Sequence, residues 1–309
     1  MLEILKNPNF DFLGKTRIFV TLSLLTILAG IGQIAARGVR YGVEFSGGTQ
    51  LIVSFREAPQ IDRIRAAVEL EAPGAVIQAY DVASKNQALI RMAVVAEGPI
   101  EAPAERAIAA LAKGYAENPV AEYSSEIVGP IVGAELRRKA VQLTVLGLLF
   151  QLIYITIRFK GAIWGAAATI AVLHDVLVTL GLLAFAGYEI TLNVIAALLT
   201  LVGYSVNDTI VIFDRARENL RQRRKEPLAR LLNDSLNQTL TRTLISNGTT
   251  FLAVLGLYLF GGEVLRGFGF TMVVGIVVGT YSTIYIASPL VVWWQGRGRG
   301  GATAAKAAL

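Results

Sequence analysis

Six apolar runs, each long enough to cross a membrane, constrain this chain more than any other feature. They fall at approximately Arg17–Ala36, Val141–Ile157, Ala162–Ala186, Ile190–Phe213, Thr243–Phe260 and Phe268–Trp294. A hydrocarbon core of about 30 Å takes about 20 helical residues. Hydrophobic residues make up 54% of the 309 and charged residues only 17%, against roughly 45–50% and about 25% in soluble domains. The reading is a polytopic α-helical membrane protein with six transmembrane helices. Lys15 and Arg17 before the first run resemble the start of a secretory signal. That run exceeds the usual signal core of about 7–15 residues, so an uncleaved anchor is expected.

Charge sets the orientation. Arg158 and Lys160 occupy the loop between helices two and three, and Arg215, Arg217, Arg221, Arg223, Arg224, Lys225 and Arg230 crowd a basic loop over 214–242. Arg297, Arg299 and Lys306 follow helix six, whereas Gly187–Glu189 carries no positive charge and the turn between helices five and six has only Arg266. Excess Lys and Arg in short loops marks the cytoplasmic side, which places both termini there. Arg137, Arg138 and Lys139 oppose this pattern, but they end a long loop, where the rule is weak. The same bias accounts for the net charge of +6, so no nucleic-acid partner is expected. The basic loop reads as a solvated helix touching anionic membrane lipids. Cysteine is absent, so the domain outside the membrane must be stable through its core alone.

That domain, at 37–138, follows residues 1–36 (N-terminus and helix one) and precedes the helical region 139–294. Strand character at Thr49–Phe55, Val76–Asp81, Ala88–Val94 and Val120–Ile127 alternates with helical patterns at Ile61–Leu70 and Ala102–Tyr115. The order β-α-β-β-α-β is that of a ferredoxin-like α+β unit, with another small α+β domain as the alternative. The glycine-rich tail at 295–309 reads as disordered.

Ionisable groups within spans cost about 2.5–3.5 kcal/mol each at the centre. On helix four, Asn193, Thr200 and Asn207 recur every seven residues, with Tyr204 and Asp208 on the same broad face. Ile195, Leu199, Val202, Val206 and Ile210 form the opposite, lipid-compatible face. Asp208 lies five residues before Phe213, roughly 7–8 Å inside the helix end. Helix five begins at the same side with Arg242, Thr243, Ser246 and Asn247. Depth thus allows Asp208 to meet Arg242, either as a structural ion pair or as a proton-handling site. His174 and Asp175 lie midway along helix three and must face the bundle interior. They either hydrogen-bond neighbouring helices or join one polar cluster with Asp208. Glu44 and the Gly47-Gly48 pair mark a tight connection beyond helix one. No nucleophile-base constellation and no phosphate-cradling glycine loop is present, so neither an enzyme nor a cofactor site is expected.

Four of these segments resemble one family. Glu44-Phe45-Ser46-Gly47-Gly48-Thr49 is similar to the [DE]-F-[ST]-G-G-T signature of the SecD/SecF family, and His174-Asp175 to its His-Asp pair. Gly203 to Arg215, continuing to Asn219, resembles the SecF stretch closing helix four, and Asn237 to Ser246 the start of its helix five. The single small outer domain fits SecF better than SecD. The resemblance implies a multi-pass subunit of the bacterial cytoplasmic (inner) membrane, distantly related to proton-driven RND exporters. It implies SecD as partner, association with SecYEG and SecA, with YajC and a YidC-type insertase as further partners, and unfolded exported polypeptide as cargo. Protons would be the coupling ion. By the same resemblance, Asp208 and Arg242 would carry proton coupling, with Asp175 supporting and Asn207 as a hydrogen-bonding neighbour. His174, Tyr204, Asn193, Ser246 and Asn247 complete the expected polar surroundings. The alternatives are a non-conducting scaffold of the translocon-insertase complex, or an exporter of small molecules or lipids.

Overall fold

A computed structural model describes residues 8–80, 86–92, 102–159, 162–223 and 225–295. Six helices are long and apolar enough to span a membrane: Leu13–Arg37, Ile131–Arg158, Ala162–Ala186, Leu192–Gln222, Leu228–Phe260 and Val264–Gln295. They comprise α1 (Thr16–Arg37, after a 3-10 turn at Leu13–Lys15), α5 (Pro130–Phe159), α6 (Ala162–Ala186), α7 (Leu192–Gln222), α8 (Leu228–Phe260) and α9 (Gly262–Ser282). A π-helical turn at Thr283–Ala287 continues α9 toward Gln295.

Between α1 and α5 lie α2 (Val43–Ser46), β1 (Gly48–Phe55), α3 (Ile61–Val68), β2 (Val76–Tyr80), β3 (Gln87–Met92), α4 (Ala102–Gly114) and β4 (Val120–Val128). The sheet order is β2-β3-β1-β4, with every neighbouring pair antiparallel. This is the ferredoxin-like arrangement. Leu51, Val53 and Phe55 of β1 alternate inward against Ile64 and Val68 of α3 and Ala107 and Leu111 of α4. That single cluster is the domain's core. The expected strand ends at Asp81 and at Ala93 and Val94 lie outside the described residues, as does the tail from Gly296.

The boundaries that depart furthest from the expected ones are those of α5, α7 and α8. α5 begins at Pro130, directly after β4, so Arg137, Arg138 and Lys139 sit on a helix that rises out of the membrane. The basic segment 214–242 is not a loop but the ends of two helices, because α7 and α8 continue past their apolar stretches. Ala216, Leu232 and Leu236 of these extensions are buried in the main apolar cluster of the bundle, and polar cross-links add to that packing: Asn219 donates to Ser235 at 2.7 Å, Arg215 to Gln238 at 2.6 Å, and Arg223 pairs with Asp234 at 2.9 Å. Phe10, near the N-terminus, is tied to the same extension, its N–H donating to Asn237 at 2.8 Å.

Within the bundle, α6, α7 and α9 form the interior, with about half of each apolar window buried. For α1, α5 and α8 the share is 11%, so these helices present apolar faces outward. Helix α1 is held at Gly30, where an added Cβ would lie 2.6 Å from the Cα of Gly181 on α6. Small residues at such a crossing let two backbones touch.

The domain is joined to the bundle at the turn between α6 and α7. Gly42 donates to the carbonyl of Ile190 at 3.0 Å, and Ile190 to that of Arg40 at 2.8 Å. Arg91 of β3 forms an ion pair with Glu189. Burial raises the Glu189 carboxyl above its ordinary value of 4.5, against the pull of the Arg91 guanidinium and with a further push from Glu44. The folded chain therefore binds this proton more tightly than the unfolded chain. Its stabilising effect is complete below the unfolded value and is lost as pH rises through the raised one. The melting temperature of the natural chain minus that of Glu189→Gln should rise on going from about pH 7 to about pH 5; a difference independent of pH would contradict this.

Candidate functional site

The polar groups of the bundle form two hydrogen-bonded networks along the seam of α7 and α9. Asp175 of α6 is fully buried. Its Oδ2 accepts from Ser205 of α7 at 2.5 Å and from Ser282 of α9 at 2.9 Å, and its Oδ1 lies 2.9 Å from Nδ1 of His174. His174 Nε2 is 3.3 Å from the Tyr281 hydroxyl, which is 3.0 Å from Ser23 of α1. A continuous chain of polar groups thus links α1, α9, α6 and α7. Space for it exists because residue 279 is glycine: a Cβ there would lie 3.1 Å from Ser205 and 3.5 Å from the Asp175 carboxylate.

The second network surrounds Asp208 on α7, which is 7% exposed. The Asn247 amide on α8 donates to its Oδ2 and, at 2.7 Å, to Thr280 of α9. The Tyr204 hydroxyl donates to Asn247 Oδ1 at 3.0 Å and to the Ser246 carbonyl at 3.2 Å. Thr209 and Thr283 meet at 3.0 Å on the neighbouring turn. The two networks adjoin along α7, through Ser205 and Asp208, and along α9, through Thr280 and Ser282. No hydrogen bond joins Asp175 to Asp208 among the described residues.

Arg242 does not pair with Asp208. Its charge acts on the carboxyl, yet no ion pair within 4.0 Å forms, and the side chain is exposed on α8. Asn247 lies five residues farther along α8, about 7.5 Å deeper, and occupies the contact that depth alone had suggested for Arg242. The expected polar face of α7 is also turned. Val202 and Val206 are buried in the bundle, while Thr200 and Asn207 are exposed. Asn207 therefore contributes no side-chain hydrogen bond to the site among the described residues. Asn193 lies at the other end of α7, where it donates to the Val264 carbonyl at 3.3 Å.

At the signature turn, Gly47 and Gly48 have φ of +75° and +138°, conformations open to glycine. Phe45 and Val43 are buried in the single turn of α2, against which α5 packs closely at Gly133. Glu44 faces a polar cavity of about 150 Å³ at the domain junction, shared with Gln50, Arg91 and Glu189. Sequence reasoning did not assign roles to Ser205, Thr280, Tyr281 and Ser282. Four consecutive hydroxyl residues, Thr280 to Thr283, inside an apolar span were the available signal.

The model of the protein export membrane protein SecD/SecF, C-terminal, matches residues 107–297, and that of the SecD/SecF GG motif matches residues 34–59. The chain is 40% identical to the protein translocase subunit SecF of Calditerrivibrio nitroreducens, covering 94% of this chain and 96% of that one. The chain belongs to the SecD/SecF family. Against the protein translocase subunit SecDF of Thermus thermophilus it is 38% identical over 95% of its own length and 40% of the other's. A crystal structure of SecDF from Thermus thermophilus, described as a translocon-associated membrane protein, superposes with a TM-score of 0.81 at 37% identity. That likeness covers 94% of this chain and 39% of the SecDF chain. This chain thus corresponds to one part of the longer SecDF polypeptide and, in this family, carries the GG motif at the α2–β1 turn.

Proposed function

We propose that this SecD/SecF family member works with a SecD partner to draw on the proton motive force during protein export. The observation that carries this reading is the setting of Asp208: a buried carboxyl held by a neutral amide, with a guanidinium near but not bound. Asn247 can donate to the carboxylate or accept from the protonated acid, since its carbonyl oxygen has two lone pairs. A proton can therefore come and go without breaking an ion pair. Approach of Arg242 favours the carboxylate, and its withdrawal favours the acid. Two such states make a bistable element that can bias the position of the α+β domain.

The exposed polar groups of α7 and α8 support a partner. Thr200, Asn207 and Arg242 project from the bundle on helices of membrane-spanning length, where contact with lipid is costly. A second six-helix subunit covering them would complete the site, and the fused SecDF relative carries both parts in one chain. Lys and Arg cluster at the bundle end opposite the α+β domain, which supports an inner-membrane location with cytoplasmic termini. SecYEG with SecA would be the translocon served, with YajC and a YidC-type insertase alongside.

The test is export into membrane vesicles that contain the translocon and SecD, with and without this chain. An imposed proton gradient should stimulate export only when the chain is present. Equal stimulation without it would refute the proposal. A scaffold would raise export equally with the gradient collapsed.

A further inference from the structure

The end of the bundle that carries the α+β domain has a groove between α1, α5 and α6. Its cavity of about 270 Å³ is lined mainly by apolar side chains, including Ile34, Val141, Leu180 and Phe185. The charged side chains lining it are Arg37, Arg40 and Arg137; no carboxylate does so. All three arginines are exposed, and none forms an ion pair among the described residues. Arg137 sits 5.5 Å above the Tyr41 ring, which fixes a guanidinium at the rim while leaving its N–H groups free to donate. Arg37 ends α1, so the arginines lie where the spanning helices emerge and the apolar residues lie beneath them. Val141 and Phe185 are 59% and 49% exposed, so the groove opens sideways toward hydrocarbon.

We propose that this groove binds an anionic phospholipid, its phosphate held by Arg37, Arg40 and Arg137 and its acyl chains lying against Val141, Leu180 and Phe185. Guanidinium groups match phosphate oxygens in geometry as well as in charge. The layering of cation above apolar surface matches the order of headgroup and chain. It also gives a reason for a cationic cluster on the side of the membrane where the short turns otherwise carry only Arg266. The neighbouring polar cavity, which contains Glu44 and Glu189 beside Arg91, has the opposite character and would repel the same headgroup.

The experiment uses the full chain in phosphatidylcholine vesicles doped with phosphatidylglycerol that carries a photoreactive acyl chain, with labelled positions mapped by mass spectrometry. Labelling should concentrate on the groove and be competed by unlabelled phosphatidylglycerol but not by added phosphatidylcholine or glycerol phosphate. Arg37→Gln/Arg40→Gln/Arg137→Gln should reduce groove labelling at least tenfold. Arg217→Gln/Arg221→Gln/Arg230→Gln, at the opposite end, should leave it unchanged. Competition by phosphatidylcholine, or labelling spread evenly around the bundle, would overturn the proposal, and both are read on the natural chain. Complete competition by glycerol phosphate would assign the site to a free phosphate instead. Loss of lipid labelling when a SecD subunit is added, with cross-links to that subunit, would show a protein interface and overturn it as well.

Discussion

Vesicles whose chains carry Asp208→Asn are expected to lose gradient-stimulated export while keeping the level seen without a gradient. One charge crossing 100 mV releases about 2.3 kcal/mol, a population ratio near fifty, so the expected loss reaches that factor when one proton drives each shift. Asparagine keeps the side-chain shape and an oxygen that accepts from Asn247, so the helix contacts persist. Only titration is removed. A chain that inserts normally and yet ignores the gradient separates proton handling from structure. Full stimulation in Asp208→Asn would place the coupling elsewhere. Asp175→Asn provides the comparison: it disturbs a carboxylate with two hydroxyl donors but leaves the Asp208 network intact.

The second large effect belongs to the crossing of α1 and α6. Gly181→Leu should unfold or detach α1, because a Cβ at residue 181 already lies 3.1 Å from the Cα of Gly30, and the three side-chain carbons beyond it cannot be accommodated between two touching backbones. Overpacking costs roughly 1–3 kcal/mol where side chains can yield, and here neither neighbour has a side chain to move. A loss at or above that range is expected as a lowered melting temperature in detergent. Gly32→Leu, on α1 two residues from Gly30 and with nothing within 4 Å of its added Cβ, should change it little. Equal effects at the two glycines would mean that the crossing does not hold α1.

Much of the fold was legible because each of its signals is local. Uncharged runs mark the spans, and period-2 alternation in Thr49–Phe55 and the helical stripe Ile61, Ile64, Val68 mark the domain. The helix ends at Gln222 and Leu228 were not legible, since α7 and α8 extend on scattered buried residues such as Ala216, Leu232 and Leu236 and on polar cross-links such as Asn219 to Ser235, not on a continuous uncharged run. Asp175, Asp208 and Asn247 were legible as polar groups within spans, but their contacts were not, nor was the part taken by Ser205, Thr280 and Ser282. Spacing shows that α7 has two faces; it does not show which neighbour covers each. Thr200 and Asn207 recur with helical period yet point out of this bundle, while Val202 and Val206 point in. Arg242 and Asn247 lie on the same helix, and nothing in their order says that the amide, not the guanidinium, reaches Asp208. Depth along a helix is readable to about one turn; the hydrogen-bond partner within that turn depends on rotation, which the neighbouring helices fix.

The central claim concerns protons rather than cargo, so proton movement tests it most directly. Proteoliposomes holding this chain with a SecD subunit and an internal pH-sensitive dye should show proton entry under an imposed gradient, reduced to the level of empty vesicles by Asp208→Asn. Entry at the same rate in the natural chain and in Asp208→Asn would contradict the account.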